Sequence, residues 1–284
     1  MKLLLILIFS SGNLFASPKS INPNRMIDNL FSLNSKKIIT DQGVKVKGIK
    51  YNEYTEKYDS YGNHFNVSEK TYDRAIKLSQ SVYRASPGEG SGHGTAFHIT
   101  GNLILTSQHV LSPSRKNTTQ CKSFRIQLNA NQKNKTVKCK KVHFCEIYYD
   151  FCLIEMQEHR KGYSVSKDPD LTLTSKMPYS DETKTMVIGN PMGAGLHAST
   201  GFGLEDLNSV LKFYAPVFGG NSGGPVFNEN NEVIGITRTQ TLKLISNESY
   251  NTASPMRMVL EFLNLELNDR ANIKNLLKKV TARN

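Results

Sequence analysis

Gly94-Thr95-Ala96-Phe97-His98-Ile99-Thr100-Gly101-Asn102-Leu103-Ile104-Leu105-Thr106-Ser107-Gln108-His109-Val110 is the stretch that decides the architecture. Two short runs rich in β-branched and aromatic residues, 94–99 and 103–106, are parted by Thr100-Gly101-Asn102, a turn signal. They read as a hairpin whose second strand runs into small residues that present a histidine. The same rhythm extends outward in both directions. Strands are expected at 81–84, 123–128, 136–144, 151–156, 184–188, 210–218, 225–227 and 233–239. Many short strands with little helix between them predict an all-β barrel or sandwich rather than βαβ units. The C-terminal part changes character. Ser254-Pro255 fits an N-cap followed by proline at the first helical position, which predicts a helix over 256–265. A second helix is expected over about 269–280, after which no room is left for an appended binding domain.

A chain of 284 residues suffices for one two-lobed domain or two small ones with a sizeable core. It begins Met1-Lys2 and continues with an apolar run from Leu3 to Phe9, too short to span a bilayer, before the small residues Ala16-Ser17. Residues 1–16 are therefore expected to be a signal peptide, with Leu14 blurring the cut site. Residues 17–75, polar and weakly periodic, read as an N-terminal extension or pro-segment. No later segment is long and apolar enough to span a membrane, so the expectation is a secreted or periplasmic protein. Cys121, Cys139, Cys145 and Cys152 form an even set in an exported chain, which predicts two disulfides. Three connectivities are open. A hairpin of 121–128 with 136–145, turning near Lys133, would place Cys121 opposite Cys145 and leave Cys139 for Cys152. No Cys or His spacing fits zinc, and no cofactor motif is present. The net charge of +12 is compatible with anionic surfaces as partners but reads first as a solvated face. Lys133, Lys135, Lys138, Lys140 and Lys141 lack interleaved aromatics, so nucleic acid is not expected.

Three segments carry chemistry. In Gly219-Gly220-Asn221-Ser222-Gly223-Gly224-Pro225 a serine is flanked by glycines. Such a turn suits a nucleophile, and the amides of Gly220 and Ser222 would form an oxyanion hole unobstructed by Cβ atoms. His109 ends a strand and a small-residue turn, a setting for a base that takes the serine proton and returns it to the leaving amine. Asp150 opens the apolar run Phe151-Cys152-Leu153-Ile154 and would orient the imidazole. The structural readings (a glycine turn, a packed histidine, a turn aspartate) are each ordinary alone. Together, in the order His, Asp, Ser, with spacings of 41 and 72 residues, they point to nucleophilic acyl transfer. Rival orders fail. The G-x-S-x-G elbow of an α/β-hydrolase needs a histidine after the serine, but the last histidine is His197. A subtilisin-like order would need Asp59 or Asp73, and neither ends an apolar strand. His64, His93, His98, His143, His159 and His197 have no comparable setting and read as structural or surface residues.

These residues resemble the trypsin-like serine peptidases, particularly the bacterial glutamyl-endopeptidase and HtrA-type branches. The matching pieces are Gly92 to Phe97, Ile104-Leu105-Thr106 leading to His109, Asp150 to Ile154, Ile188-Gly189-Asn190-Pro191-Met192-Gly193, and Gly220 to Pro225 followed by Val233-Ile234-Gly235-Ile236. The likeness covers roughly 78–262. Gln108 departs from it, standing where alanine is usual. The resemblance implies a chymotrypsin-like fold, two six-stranded antiparallel Greek-key barrels with the site in their cleft, here with C-terminal helices and without a PDZ domain. The expected division is 76–170 for the first barrel, 171–254 for the second and 255–284 for the helices.

The resemblance also places the first specificity pocket at Pro216, Val217 and Phe218 on one wall and Thr237, Arg238 and Thr239 on another. No carboxylate lies at its base, and Thr237 replaces the histidine of glutamyl endopeptidases. A small or medium apolar side chain is therefore the expected preference. Asn221 stands where trypsin-like zymogens carry an aspartate, so activity is expected not to require insertion of a new ammonium terminus. The leading expectation is a secreted serine endopeptidase acting on protein or peptide substrates. The alternatives are a catalytically silent cationic binding protein on a peptidase scaffold and an esterase-like acyl transferase.

Overall fold

The computed structural model describes residues 30–34, 37–48, 50–52, 57–59, 64–87, 92–112, 121–128, 136–158, 164–176, 183–206, 209–243, 249–267 and 271–281. The expected signal peptide at 1–16 and the expected turn near Lys133 lie outside the described residues. The first barrel is built from β1 (Val82–Ser86), β2 (Gly94–Thr100), β3 (Leu103–Thr106), β4 (Arg125–Gln127), β5 (Thr136–Glu146) and β6 (Phe151–Met156). Its order around the barrel is β1-β2-β3-β6-β5-β4, closed by β4 against β1. The second barrel is built from β7 (Lys184–Gly189), β8 (His197–Asp206), β9 (Leu211–Phe213), β10 (Pro225–Phe227), β11 (Val233–Lys243) and β12 (Ser249–Pro255). Its order is β7-β8-β9-β12-β11-β10, closed by β10 against β7. The two halves therefore repeat one strand order, and all their pairings are antiparallel.

Burial on both faces explains why the key strands read as continuous apolar runs. All seven residues of β2 are buried. Ala96 faces the interior of the first barrel with Tyr83 and Ile104, while Phe97 and Ile99 face outward into a core shared with the second barrel. That shared core also takes Phe151 and Leu153 from β6, and Met186, Ile188, Phe227 and Ile236 from the second barrel. The helix α1 (Glu69–Ser79) was not expected. Its start is capped by Ser68, whose side chain accepts from the Thr71 N–H, and it buries Tyr72, Ala75 and Leu78. Upstream of it, Phe31–Ser32 adds antiparallel to the edge of β8, and strands 38–40, 43–47 and 64–67 form a small sheet. Arg74 on α1 donates from Nε to Asn231 Oδ1 at 2.6 Å and from Nη2 to the Asn228 carbonyl, clamping the helix to a turn of the second barrel.

Several expectations are corrected. The 210–218 strand is limited to Leu211–Phe213 because the chain leaves the sheet before Pro216, which has no N–H for a ladder. Strands β8 and β12 were missed. Their sequences, His-Ala-Ser-Thr-Gly-Phe-Gly and Ser-Tyr-Asn-Thr-Ala-Ser-Pro, read as turn-rich. In β8 the glycine is required by a close approach, since a Cβ on Gly201 would lie 2.4 Å from the Ala215 nitrogen. Ser254 does not cap the following helix α3 (Met256–Glu266). Its hydroxyl donates to the Tyr149 carbonyl, and Pro255 itself occupies the cap position. The final helix α4 spans Ala271–Val280. Among the described residues no helix is long and apolar enough to cross a membrane.

The disulfides are Cys121–Cys139 and Cys145–Cys152, not the pairing inferred from one long hairpin. Strand β5 is shared: its first residues pair with the three-residue β4, and its later ones pair with β6. Cys145 is thereby carried beyond β4 and faces Cys152 directly across β6. Cys121 reaches Cys139 through the turn at Cys121–Phe124, where the Cys139 N–H donates to the Phe124 carbonyl.

Because Phe31 is fully buried against Tyr72, with ring centroids 6.3 Å apart, the upstream segment contributes to the common core. Phe31→Ala should cost about 3–5 kcal/mol in urea unfolding, whereas Ile39→Ala, at a 67% exposed position, should cost less than about 0.5 kcal/mol.

Candidate active site

The strand register brings two of the candidate residues together. Thr106 at the end of β3 pairs with Cys152 near the start of β6. Continuing past Thr106 and back before Cys152 sets the short helix α2 (Gln108–Leu111) beside the turn that ends at Asp150. His109 and Asp150 meet there in a two-point contact. The His109 N–H donates to Asp150 Oδ1 at 3.0 Å, and Nδ1 lies 2.7 Å from Oδ2. A carboxylate only accepts, so Nδ1 carries the proton in this contact. Asp150 is buried, with a side chain 4% exposed, while that of His109 is 27% exposed. Asp150 also has φ +55, a left-handed conformation that an aspartate tolerates better than a β-branched residue would.

Ser222 lies on the turn before β10, where glycines are sterically compelled. Gly220 has φ +101, and a Cβ there would sit 2.3 Å from the Asn190 carbonyl oxygen. Gly223 has φ +84, and a Cβ would sit 2.2 Å from the Thr95 carbonyl oxygen. A Cβ on Gly224 would be 2.6 Å from the Ile188 carbonyl oxygen, while Gly219 has open space around it. Among the described residues neither the Gly220 nor the Ser222 N–H has an acceptor. The Ser222 hydroxyl donates to the Arg238 carbonyl at 3.1 Å rather than to His109.

Four hydrogen bonds centre on Thr95, and two of them reach this turn. Its N–H donates to the Ser222 carbonyl at 2.8 Å, and its hydroxyl donates to the Gly220 carbonyl at 2.7 Å. The same hydroxyl accepts from the Asn190 N–H at 3.0 Å, and the Thr95 carbonyl accepts from the Thr106 hydroxyl at 2.7 Å. On the opposite flank the Gly223 N–H and the Ser107 hydroxyl both donate to the Thr237 carbonyl, at 2.8 and 2.9 Å. Loop 190–195 adds a prop: the Met192 N–H donates to the Gly219 carbonyl at 2.6 Å. In the sequence Thr95 is legible only as part of a strand and of the matching piece Gly92 to Phe97. Its role as a junction could not be found without knowing that its hydroxyl faces the other barrel.

The expected specificity residues fall on two segments. Val217 is buried, Pro216 and Phe218 are half-buried, and the Pro216 carbonyl accepts from Ser199 Oγ at 2.7 Å. On β11, Thr237 is fully buried with no partner for its hydroxyl among the described residues. Arg238 is half-buried and donates from Nη2 to the Tyr148 carbonyl at 2.8 Å, while Thr239 pairs through its backbone with Thr252. Gln108 and Asn221 are buried, and Gln108 Oε1 and Nε2 and Asn221 Oδ1 have no partners among the described residues. His98 is packed between the Pro169 and Gly101 carbonyls, and His143 meets Glu155 at 2.9 Å. Burial holds the His197 imidazole below its ordinary pKa, partly offset by a bond to the Gly195 carbonyl. Among the described residues no group of three or more His, Cys, Asp or Glu could hold a metal ion.

Residues 94–236, just over half the chain, match the family model described as trypsin-like peptidase domain. The chain is 27% identical over 161 residues to the periplasmic pH-dependent serine endoprotease DegQ of Escherichia coli K12, a match covering 54% of this chain and 32% of that protein. It is 24% identical over 196 residues to a probable periplasmic serine endoprotease DegP-like of Buchnera aphidicola, covering 64% of this chain and 37% of that one. The chain thus spans only about a third of the length of these relatives. The crystal structure of the serine endoprotease from Yersinia pestis superposes with a TM-score of 0.54 at 17% identity, covering 70% of this chain and 67% of that one, a likeness of fold.

The contrast among the glycines gives a test of the turn. Gly219→Ala should change the thermal midpoint little, because nothing lies within 4 Å of the added Cβ. Gly223→Ala, with a positive φ and backbone in the way, should be destabilised by at least about 2 kcal/mol in the same measurement.

Proposed function

Because the chain belongs to the trypsin-like peptidase domain family, we propose that it is an exported serine endopeptidase with Ser222 as nucleophile, His109 as base and Asp150 as the residue orienting the base. The observation that carries this reading is the two-point His109–Asp150 contact two residues from Ser107, which shares the Thr237 carbonyl with Gly223 of a glycine turn whose Gly220 and Ser222 amides have no acceptor among the described residues. Export rests on the signal-like residues 1–16 and on the periplasmic descriptions of the two relatives.

In the proposed reaction the Ser222 hydroxyl turns from the Arg238 carbonyl toward His109. Its oxygen bonds to the substrate carbonyl carbon while its proton passes to His109 Nε2. The buried Asp150 carboxylate stabilises the imidazolium so formed. The carbonyl oxygen becomes an oxyanion that accepts from the Gly220 and Ser222 amides. The C–N bond then breaks as His109 returns the proton to the leaving amine, giving an acyl-enzyme. Water repeats the sequence, releases the acid and restores Ser222. Pro216, Val217, Phe218, Thr237, Arg238 and Thr239 would border the pocket for the residue on the acyl side, and the absence of a carboxylate among them favours a small or medium apolar side chain. Activity in this reading does not depend on a new ammonium terminus, since Asn221 offers only a neutral amide.

A fluorophosphonate should label the wild-type protein on Ser222, and Ser222→Ala should remain unlabelled and inactive on casein. A cationic binding protein on the same scaffold would give no adduct, and that outcome would discard the proposal. Thr95 offers a second, finer test. Thr95→Val keeps the shape but leaves the Gly220 carbonyl and the Asn190 N–H unpaired. It should lower kcat/KM roughly ten- to a hundredfold, mostly in kcat, while Thr95→Ser stays near wild type.

A further inference from the structure

A cavity of about 150 Å³ lies beside the glycine turn, between the two barrels. The strand register builds its polar side. Arg84 on β1 pairs directly with Thr95 on β2, and Gln127 on β4 pairs directly with Arg84. Directly opposed residues point to the same face of a sheet, so Thr95, Arg84 and Gln127 form one row across three strands. From the other barrel come Asn190, Gly195 and Leu196, and from the N-terminal segment comes Asn34. Gly195 has φ +96, and a Cβ there would lie 2.5 Å from Asn34 Nδ2, so this glycine makes room for the amide. Leu128 and Leu196 supply an apolar wall.

The accessible lining is mostly apolar and has no carboxylate, so Arg84 is its one charged side chain. Among the described residues, no carboxylate forms an ion pair with the Arg84 guanidinium. Its Nη2 instead lies 2.8–2.9 Å from both ring nitrogens of His93. Partial burial and the neighbouring Arg84 charge lower the His93 pKa, which disfavours a second positive charge on the ring. Asn190 is 1% exposed, and its Nδ2 has no acceptor among the described residues. Among the described residues the guanidinium thus has no anion, and it calls for oxygen lone pairs carrying negative charge.

The location connects the cavity to the proposed reaction. Asn190 contacts the glycine turn through its carbonyl oxygen, 2.3 Å from where a Gly220 Cβ would be, and through its N–H to Thr95. Ser222 is bracketed by Arg238 on one flank and Thr95 on the other. The acyl-side pocket is proposed along β11, next to Arg238, and the Thr95–Arg84 flank lies on the other side of Ser222.

We propose that the Arg84–Asn190 cavity is a carboxylate-binding subsite on the leaving-group side of Ser222, with Arg84 supplying the charge. It rests on the serine-peptidase reading for its role in catalysis, though not for binding itself. The carboxylate can come from the departing segment of the substrate, as an Asp or Glu side chain or a free C-terminus, or from a small carboxylate that settles beside the turn. Leu128 and Leu196 suit the short apolar stem that either would carry.

Quenched peptides with one common acyl side separate these sources. Glu, Gln or Ala is placed two or three residues after the scissile bond, in one set ending in a free carboxylate and in another ending in an amide. The carboxylate-bearing peptides should be favoured over their neutral counterparts on the order of tenfold in kcat/KM. In Arg84→Gln that ratio should collapse toward one, and Arg84→Lys should retain part of it. If acetate is the occupant, it should alter hydrolysis of the neutral amide peptide in wild type but not in Arg84→Gln. Equal rates for all peptides together with indifference to acetate would overturn the proposal. Binding is read separately in Ser222→Ala by following the side-chain amide resonances of Asn190 and Asn34 while acetate is added. Movement of the Asn190 signal in the Arg84 protein alone supports the subsite even if no peptide is cleaved. Loss of fluorophosphonate labelling with that movement retained would sink the peptidase reading and leave the subsite standing.

Discussion

Thr95 is the joint on which the cleft depends. It sits on a strand of the first barrel, yet its amide, hydroxyl and carbonyl reach the Ser222 carbonyl, the Gly220 carbonyl, the Asn190 N–H and the Thr106 hydroxyl. The residue is fully buried, so each bond replaces a solvent partner lost on folding, and breaking one strands a polar group away from water. Two barrels packed only through apolar side chains could slide by fractions of an ångström with little penalty. Directional bonds at their seam fix the glycine turn against the strand that leads to His109. The accuracy of the cleft is thus set by polar contacts embedded in a hydrophobic interface.

That interface also explains the use made of the upstream residues. Phe31 and the face of α1 join the same shared core as Phe97, Ile188 and Phe227. The Arg74 clamp on the 228–231 turn adds directed bonds to the apolar contact. The segment read as an N-terminal extension or pro-segment therefore adds strands and most of a helix to the outside of the second barrel, and its described residues contribute to the shared buried surface.

What the sequence disclosed followed from how strongly local chemistry marked each element. The hairpin at 94–106 and the strand at 151–156 are bounded by turn residues and are apolar throughout, so their limits could be read almost residue by residue. His109, Asp150 and Ser222 each stood at the end of such a strand or inside a glycine turn, which made them candidates before any contact was known. Strands β8 and β12 escaped notice because their side chains are small or polar and their pairing comes from neighbours distant in the chain. The disulfides were misjudged because β5 is divided between two partners, a tertiary fact that no hairpin arithmetic contains. Arg84 reads in the sequence only as part of a strand and Asn190 only as part of a matching motif: only cross-strand register and the fold of loop 190–195 bring them to one cavity.

The Arg238 carbonyl has a consequence for selectivity in time as well as in shape. In the resting molecule it holds the Ser222 hydroxyl. An extended chain laid along β11 would offer its own N–H to that oxygen and so displace the serine, freeing it to face His109 as the reactive bond arrives. Small acyl compounds without such an N–H would have to draw the hydroxyl from that carbonyl unaided before reacting. In the proposed chemistry the backbone of an incoming polypeptide thus serves as the key that arms its own cleavage.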